Sequence, residues 1–131
     1  MISLKNTLEA IKTKLNAHEK ALSVDYIVEQ GTSGIWTYRK WNSGIAECWG
    51  TYTGYSKAGS GYRSFGQISF PTNLFSSIPT FATSRGSGNG YGTCQFECTD
   101  TDGGSLYSWE IYDKTTGSNV VYGIHAIGRW K

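Results

Sequence analysis

The chain has 131 residues, with 12 basic and 10 acidic side chains, a net charge of +2 and no basic stripe. This length predicts one domain, and the even charge argues against a nucleic-acid partner. No segment is apolar over the length that a membrane span needs, which argues against membrane insertion and favours a soluble protein made in a cytosol.

The N-terminal 23 residues carry a heptad stripe that the rest of the chain lacks. Its members occupy alternating a and d positions: Leu4, Leu8, Ile11, Leu15, His18 and Leu22. Leu at a with Ile at d favours three or four strands over two. A single helix this short is marginal in water, so it needs partners. We predict a coiled-coil stalk over 1–23, in a homotrimer.

His18 falls on the axis of such a coil. Three imidazoles meeting there could hold an anion, a water or a metal ion, but we interpret His18 as a tolerated polar residue that sets the register. No metal site is therefore predicted. Because a polar d position weakens the packing rule, the choice between trimer and tetramer stays open.

Residues 24–131 predict a head of seven or eight short strands. Gly, Tyr and Trp are frequent here, at 17, 9 and 5 in the whole chain, which is typical of strands joined by tight turns. The strands are expected at 25–30, 35–41, 45–52, 63–70, 80–85, 92–99, 106–113 and 120–130. The strongest hairpin has Asn42-Ser43-Gly44 as its turn. The expected fold is an antiparallel β-sandwich of jelly-roll-like type.

Two strands carry further information. The final strand is apolar on both faces, and His125 lies on it, so we predict burial on both sides, by a neighbouring subunit or under a loop. Cys94 and Cys98 lie four residues apart, about 13 Å along a strand. A disulfide needs Cα atoms within roughly 7 Å. With Cys48, they are expected to be three reduced, buried thiols.

Strand direction predicts where a ligand would bind. If each strand reverses the one before, the turns at 31–34, 53–61, 86–91 and 113–118 gather at the end away from the stalk. Their aromatic and polar side chains suit a saccharide, which needs a ring to stack on and groups that bind hydroxyls. The candidate ligand-binding residues are Tyr55, Lys57, Tyr62, Arg85, Asn89 and Tyr91. Ordinary solvated loop tips are the alternative interpretation.

Catalysis has little support in the sequence, and we predict neither an enzyme nor a cofactor. No nucleophile pairs with either histidine. A glycosidase needs two adjacent carboxylates, but Glu47, Glu97 and Glu110 alternate with apolar neighbours, as outward, solvated residues would.

Three segments of the head resemble a known class of proteins: IVEQGTSGIWTYRKWNSGIAECWG, FPTNLFSSIPTFAT and YGIHAIGRWK. They are similar to C-terminal domains of tail-fibre and minor structural proteins of phages and prophages from Gram-positive bacteria, over most of residues 25–131. The resemblance implies a trimeric component of the virion tail, synthesised in the bacterial cytoplasm. It also implies contacts with other phage tail proteins and recognition of a bacterial surface saccharide or protein.

Three functional hypotheses follow. The first is a host-recognition head that binds a cell-wall glycan through distal loops or intersubunit clefts. The second is a structural trimerisation cap or tail connector without a ligand. The third is a polysaccharide-degrading fibre tip. A further expectation is that the chain is the distal fragment of a longer fibre protein.

Overall fold

The computed structural model describes residues 3–86, 91–110 and 116–131, and the side chains of residues 20–23 are not among those described. Helix α1 spans Leu4–Ser23 and begins at Ser3, whose hydroxyl accepts the N–H of Asn6 at 3.3 Å. This N-cap satisfies one of the free amides of the first helical turn.

The apolar stripe of α1 is exposed from Leu4 to Leu15, the part whose side chains the structure describes. Leu4, Leu8, Ile11 and Leu15 are 50 to 75 % exposed, and His18 is exposed as well. The helix of the predicted stalk is thus confirmed. The side chain of Leu22 lies outside the description, and the coiled coil and the homotrimer stay predictions.

Asp25 connects the helix to the head. Its two carboxylate oxygens accept the amide of Ser43 at 2.9 Å and the Ser43 hydroxyl at 2.6 Å, while Asn42 donates its amide to the carbonyl of Tyr26 at 2.8 Å. These bonds tie the β2–β3 turn, predicted from Asn42-Ser43-Gly44, to the segment that follows α1. The hydrogen bond from the Ser43 hydroxyl is the largest influence that lowers the pKa of Asp25 below 3.8.

The head is an antiparallel β structure, as expected. Its strands are β1 Ile27–Ser33, β2 Trp36–Trp41, β3 Ile45–Ser56, β4 Gly61–Ser69, β5 Thr80–Arg85, β6 Gly92–Cys98, β7 Gly103–Glu110 and β8 Ser118–Arg129. They form a five-stranded sheet of order β1-β2-β3-β8-β5 and a three-stranded sheet of order β4-β7-β6. The chain crosses between the sheets after β3, β4, β5 and β7, and β7 and β8 lie between neighbours on both sides.

One apolar core lies between the two sheets. Its buried hydrophobic members are Trp36, Ala46, Cys48, Ile68, Phe70, Leu74, Phe75, Phe96, Leu106, Val120, Tyr122, Ile124 and Ala126. Phenylalanine rings from both sheets and from the β4–β5 crossover contact one another, with Phe70 lying 5.1 Å from Phe75 and 5.8 Å from Phe96. The indole of Trp36 donates to the carbonyl of Ser69 at 2.6 Å, which joins the sheets by a hydrogen bond.

Strand β4 contains an irregularity that fills part of this core. Its pairing with β7 shifts between Ser64 and Gln67, and Gly66 there has φ +80°. The shift lets Phe65 pack 5.1 Å from the Tyr122 ring and against Gly54. A Cβ at Gly54 would lie 2.5 Å from the Phe65 ring, so glycine is required at this close approach.

The prediction that β8 is buried on both faces is not met within this chain. Val120 and Ala126 face the core, but His125 is exposed and Ile127 is 41 % exposed on the opposite face. The antiparallel sheet leaves that face open, and its coverage by a neighbouring subunit stays a prediction.

The cysteines are all free thiols, but only Cys48 is buried; Cys94 and Cys98 are half-buried. Desolvation, with a smaller effect of the Glu47 carboxylate, raises the pKa of the Cys48 thiol to about 12. Cys48 is therefore a core residue without thiolate chemistry.

The junction at Asp25 gives a test by NMR. The Ser43 amide resonance should titrate with a midpoint below 3.8, because the folded state holds Asp25 ionised. Since the folded pKa is lowered, this bond stabilises the junction at neutral pH and is lost as the pH falls through that folded value. Asp25→Asn should abolish the titration; a midpoint at or above 3.8 in the parent protein would contradict the geometry.

Candidate ligand-binding site

The ends of six strands gather opposite the helix, as the alternation of strand direction predicts. Ser56 of β3 pairs with Ser118 of β8, and Gly61 and Gly92 both pair with Glu110 at the end of β7. The 31–34 turn does not reach this end, because Trp36 pairs with Gly50 and β3 continues six residues further, about 20 Å.

The structure brings together three of the predicted ligand-binding residues. Tyr55, Lys57 and Tyr62 line one open depression of about 480 Å³. Tyr55 belongs to β3 rather than to a loop, since the strand extends to Ser56. Tyr91 is 74 % exposed just before β6, and Asn89 lies outside the described residues.

The side chain of Arg85 points into the head and does not lie at the base of a ligand-binding loop. Its side chain is 10 % exposed, and its Nη2 lies 3.3 Å from Oε2 of Glu110, whose side chain is fully buried. The hydroxyls of Ser56 and Ser108 lie 3.0 and 3.3 Å from Oε1 of Glu110 and donate to it. A buried carboxylate is tolerated when a cation and hydroxyl donors compensate its desolvation. The prediction that Glu110 is solvated is therefore wrong.

The inward direction of Glu110 determines the outer face of β7. Because successive strand residues point to opposite faces, Ser108 and Glu110 inside place Tyr107 and Trp109 outside. Tyr62 of β4 stacks on Tyr107 at 5.5 Å with 28° between the planes, and lies 6.3 Å from Trp109. We call Tyr62, Tyr107 and Trp109 the aromatic platform; Tyr62 and Trp109 are 53 and 57 % exposed.

Polar side chains border the aromatic platform. Together they line a depression of about 470 Å³, to which β6 contributes Thr93, Gln95 and Glu97. Exposed rings beside amide, hydroxyl and carboxylate groups can stack on the apolar face of a flat ligand and bind its hydroxyls. The prediction that Glu110 points to solvent implies the reverse arrangement, with Tyr107 and Trp109 facing the core, so the sequence analysis did not identify this platform. Glu97 is exposed, as expected.

The outer face of the five-stranded sheet is arranged differently. Glu47 is only 9 % exposed, so its prediction as a solvated residue is also wrong. It pairs with Arg39 at 2.7 Å and with His125 at 2.9 Å. The Arg39 guanidinium lies 5.2 Å from the Trp41 ring and 4.8 Å from the Trp49 ring. The carboxylate of Glu47 and the guanidinium of Arg39 thus both have partners on this face of the sheet.

Neither a metal centre nor a membrane helix is found in the part of the chain that the structure describes. No group of three or more His, Cys, Asp or Glu residues there could hold a metal ion. Likewise, no helix among those residues is long and apolar enough to cross a bilayer.

Comparison with known proteins gives a likeness of fold. No family model and no curated protein sequence matches the chain. An N-truncated R1-type pyocin tail fibre aligns with a TM-score of 0.62 at 15 % identity, covering 87 % of this chain and 94 % of that one. A C-terminal part of the P. aeruginosa R1 pyocin fibre aligns with a TM-score of 0.60 at 16 % identity, over 80 % of this chain and 28 % of that one. The chain thus has the fold of these tail-fibre fragments.

The buried Arg85–Glu110 pair gives a stability prediction. Arg85→Met should lower the free energy of unfolding by about 3 kcal/mol, because a buried carboxylate loses a compensating charge. Urea denaturation measures this change. Glu97→Gln, at an exposed carboxylate on the sheet that contains Glu110, should change it by no more than about 0.5 kcal/mol. Equal effects of the two substitutions would show that the pair is not structural.

Proposed function

We propose that the chain is the head of a phage-type tail fibre and binds a saccharide on the bacterial cell surface. The fold likeness to pyocin tail-fibre fragments supports the tail-fibre part of this proposal. In this role the protein is made in the bacterial cytoplasm and assembles into the virion tail with other tail proteins. The class of host stays open: the sequence resemblance implies Gram-positive bacteria, whereas one similar fibre comes from P. aeruginosa.

The aromatic platform is the observation that carries the binding proposal. Large aromatic rings on an outer sheet face that keep half of their surface exposed gain only part of the stability that burial in the core would give. Two rings of the platform, Tyr62 and Trp109, are more than half exposed, and Gln95 and Glu97 stand beside them. This combination matches what saccharide recognition needs: rings for stacking and polar groups for hydroxyls.

The proposed assembly is a homotrimer held by α1. Leu8 and Leu15 at a, with Leu4 and Ile11 at d, form an exposed apolar stripe at heptad spacing. Burying this stripe against the same stripe of two identical helices gives a parallel three-helix coiled coil, which holds three heads side by side. Three sites on one particle raise the avidity for a repetitive surface well above the affinity of a single site.

The proposed role is binding without catalysis. Two of the three candidate catalytic carboxylates are held in ion pairs, Glu47 by Arg39 and Glu110 by Arg85. They lie on different sheets, and both serve as structural acceptors. Such an arrangement favours recognition over the paired-carboxylate chemistry of a glycosidase.

A glycan array of bacterial surface saccharides tests the binding site. The parent protein should bind at least one saccharide, and Trp109→Ala or Tyr62→Ala should weaken that binding roughly tenfold or more, as loss of a stacking ring does at a central contact. Tyr26→Ala removes an equally exposed ring near the helix and should leave binding unchanged. Binding that survives both platform substitutions would place the site elsewhere.

Light scattering tests the assembly. The protein should have three times the 14.4 kDa mass of one chain at micromolar concentration. Combining Leu8→Asp with Leu15→Asp should give single chains that keep the head folded, because charge in the seam opposes helix association. A parent protein that is monomeric, or that has four chains, would contradict the trimer.

A further inference from the structure

Two open depressions lie on the outer face of the three-stranded sheet, and a third adjoins them at the β4 edge, where Tyr55 of the other sheet also lines it. The depression beside Tyr55 and Lys57 shares Tyr62 with the depression over the aromatic platform. The latter shares Tyr107 and Glu97 with the other depression on this face, of about 250 Å³. Because neighbouring depressions share lining residues, we treat the three as one groove that runs from the β4 edge across the aromatic platform.

Strand pairing gives the groove its direction. Tyr62, Trp109 and Thr93 form the row nearest the end opposite the helix, since each of the two outer residues pairs with Trp109. The row nearest the helix end contains Gln67, Ser105 and Glu97. Four residues along β6 separate the rows, which is about 13 Å.

The two ends of the groove carry opposite charge. The basic end consists of the exposed Lys57 and of Arg63, whose guanidinium donates to the carbonyls of Tyr62 at 2.9 Å and Ala58 at 3.4 Å. The acidic end consists of Glu97 and of Asp100, whose Oδ1 accepts two backbone amides at 2.8 and 3.2 Å. Among the described residues, no lysine or arginine lines the depressions at the acidic end.

The central position of β7 under the aromatic platform favours a ligand that contacts side chains over a peptide that adds a strand. β7 is a central strand, with β4 on one side and β6 on the other, so its backbone groups are already paired. A peptide that adds a strand binds at a sheet edge. A ligand in the groove is instead held by side chains, and the platform rings suit the flat apolar faces of sugar units.

We propose that the groove binds a linear saccharide whose charge is uneven along the bound segment. A unit that carries a carboxylate or a phosphate lies at the basic end, and neutral or amino-bearing units extend over the aromatic platform toward the acidic end. Opposite charges at the basic end attract, while a second negative group beside Glu97 is repelled. This inference rests on the proposed function and adds direction and charge selectivity to it.

Four hexasaccharides of graded charge test the proposal by calorimetry at low salt. Chitohexaose is neutral, chitohexaose with one terminal phosphate and the hyaluronan hexasaccharide carry isolated negative groups, and the galacturonic acid hexamer is negative throughout. The phosphorylated hexamer, the hyaluronan hexasaccharide or both should bind more tightly than the neutral and the uniformly negative hexamers. The better of the two identifies the anion as phosphate or carboxylate.

Substitutions that remove one charge each then test which end of the groove binds the anionic unit. Lys57→Ala should weaken the better isolated-anion ligand roughly two- to fivefold more than it weakens chitohexaose. Glu97→Gln should strengthen the galacturonic acid hexamer by a similar factor. Lys131→Ala and Glu9→Gln make the same charge changes outside the groove, so they should alter neither affinity.

Three results would overturn the proposal, and the first two are affinities. One is a galacturonic acid hexamer that binds as tightly as both isolated-anion ligands; another is an equal effect of Lys57→Ala on charged and neutral hexamers. The third is that none of the four hexamers binds while the protein still binds a saccharide on the bacterial array; the charge selectivity is then wrong and the proposed function stands. If the array binding itself survives loss of the platform rings, the proposed site fails first.

Discussion

The buried ion pair between Arg85 and Glu110 is the constraint on which the ligand-binding face depends. A carboxylate with no exposed surface has to be compensated, and here Arg85 of β5 and two hydroxyls of the core compensate it. Because strand side chains alternate, an inward Glu110 forces Trp109 outward. A one-residue slip of β7 would bury the indole and expose the carboxylate. The polar interaction in the core therefore positions the aromatic platform on the surface.

The two outer faces of the sandwich have different chemistry as a result. On the five-stranded sheet, Glu47 pairs with Arg39 and His125, and Arg39 lies between the rings of Trp41 and Trp49. On this sheet, the charged groups and the aromatic rings are therefore already in contact with each other. On the three-stranded sheet Tyr62 stacks on Tyr107, no cation lies over either ring among residues 3–86, 91–110 and 116–131, and Gln95 and Glu97 beside them are exposed. These exposed groups are accessible to an extended ligand on the smaller sheet.

Much of the fold follows from local pattern, whereas the site depends on long-range contacts. The heptad spacing from Leu4 to Leu15 predicts α1, and turn residues such as Asn42-Ser43-Gly44 predict the strand boundaries closely. Alternation in β7 predicts that Tyr107 and Trp109 share a face. This alternation does not indicate which face of β7 is buried. The buried face is determined by the ion pair of Glu110 with Arg85, 25 residues away in the chain. The same limit applies to Glu47, whose partner His125 is 78 residues distant.

The most direct test of saccharide binding at the aromatic platform is an NMR titration. It follows the indole N–H signals of the five tryptophans while the saccharide that binds best is added. Trp109 lies on the platform, Trp41 and Trp49 lie on the opposite sheet, and Trp36 and Trp130 donate their indole N–H to backbone carbonyls. The Trp109 signal should shift in proportion to saturation while the other four stay in place. Shifts confined to Trp41 and Trp49 would move the ligand to the five-stranded sheet and contradict the assignment of the site.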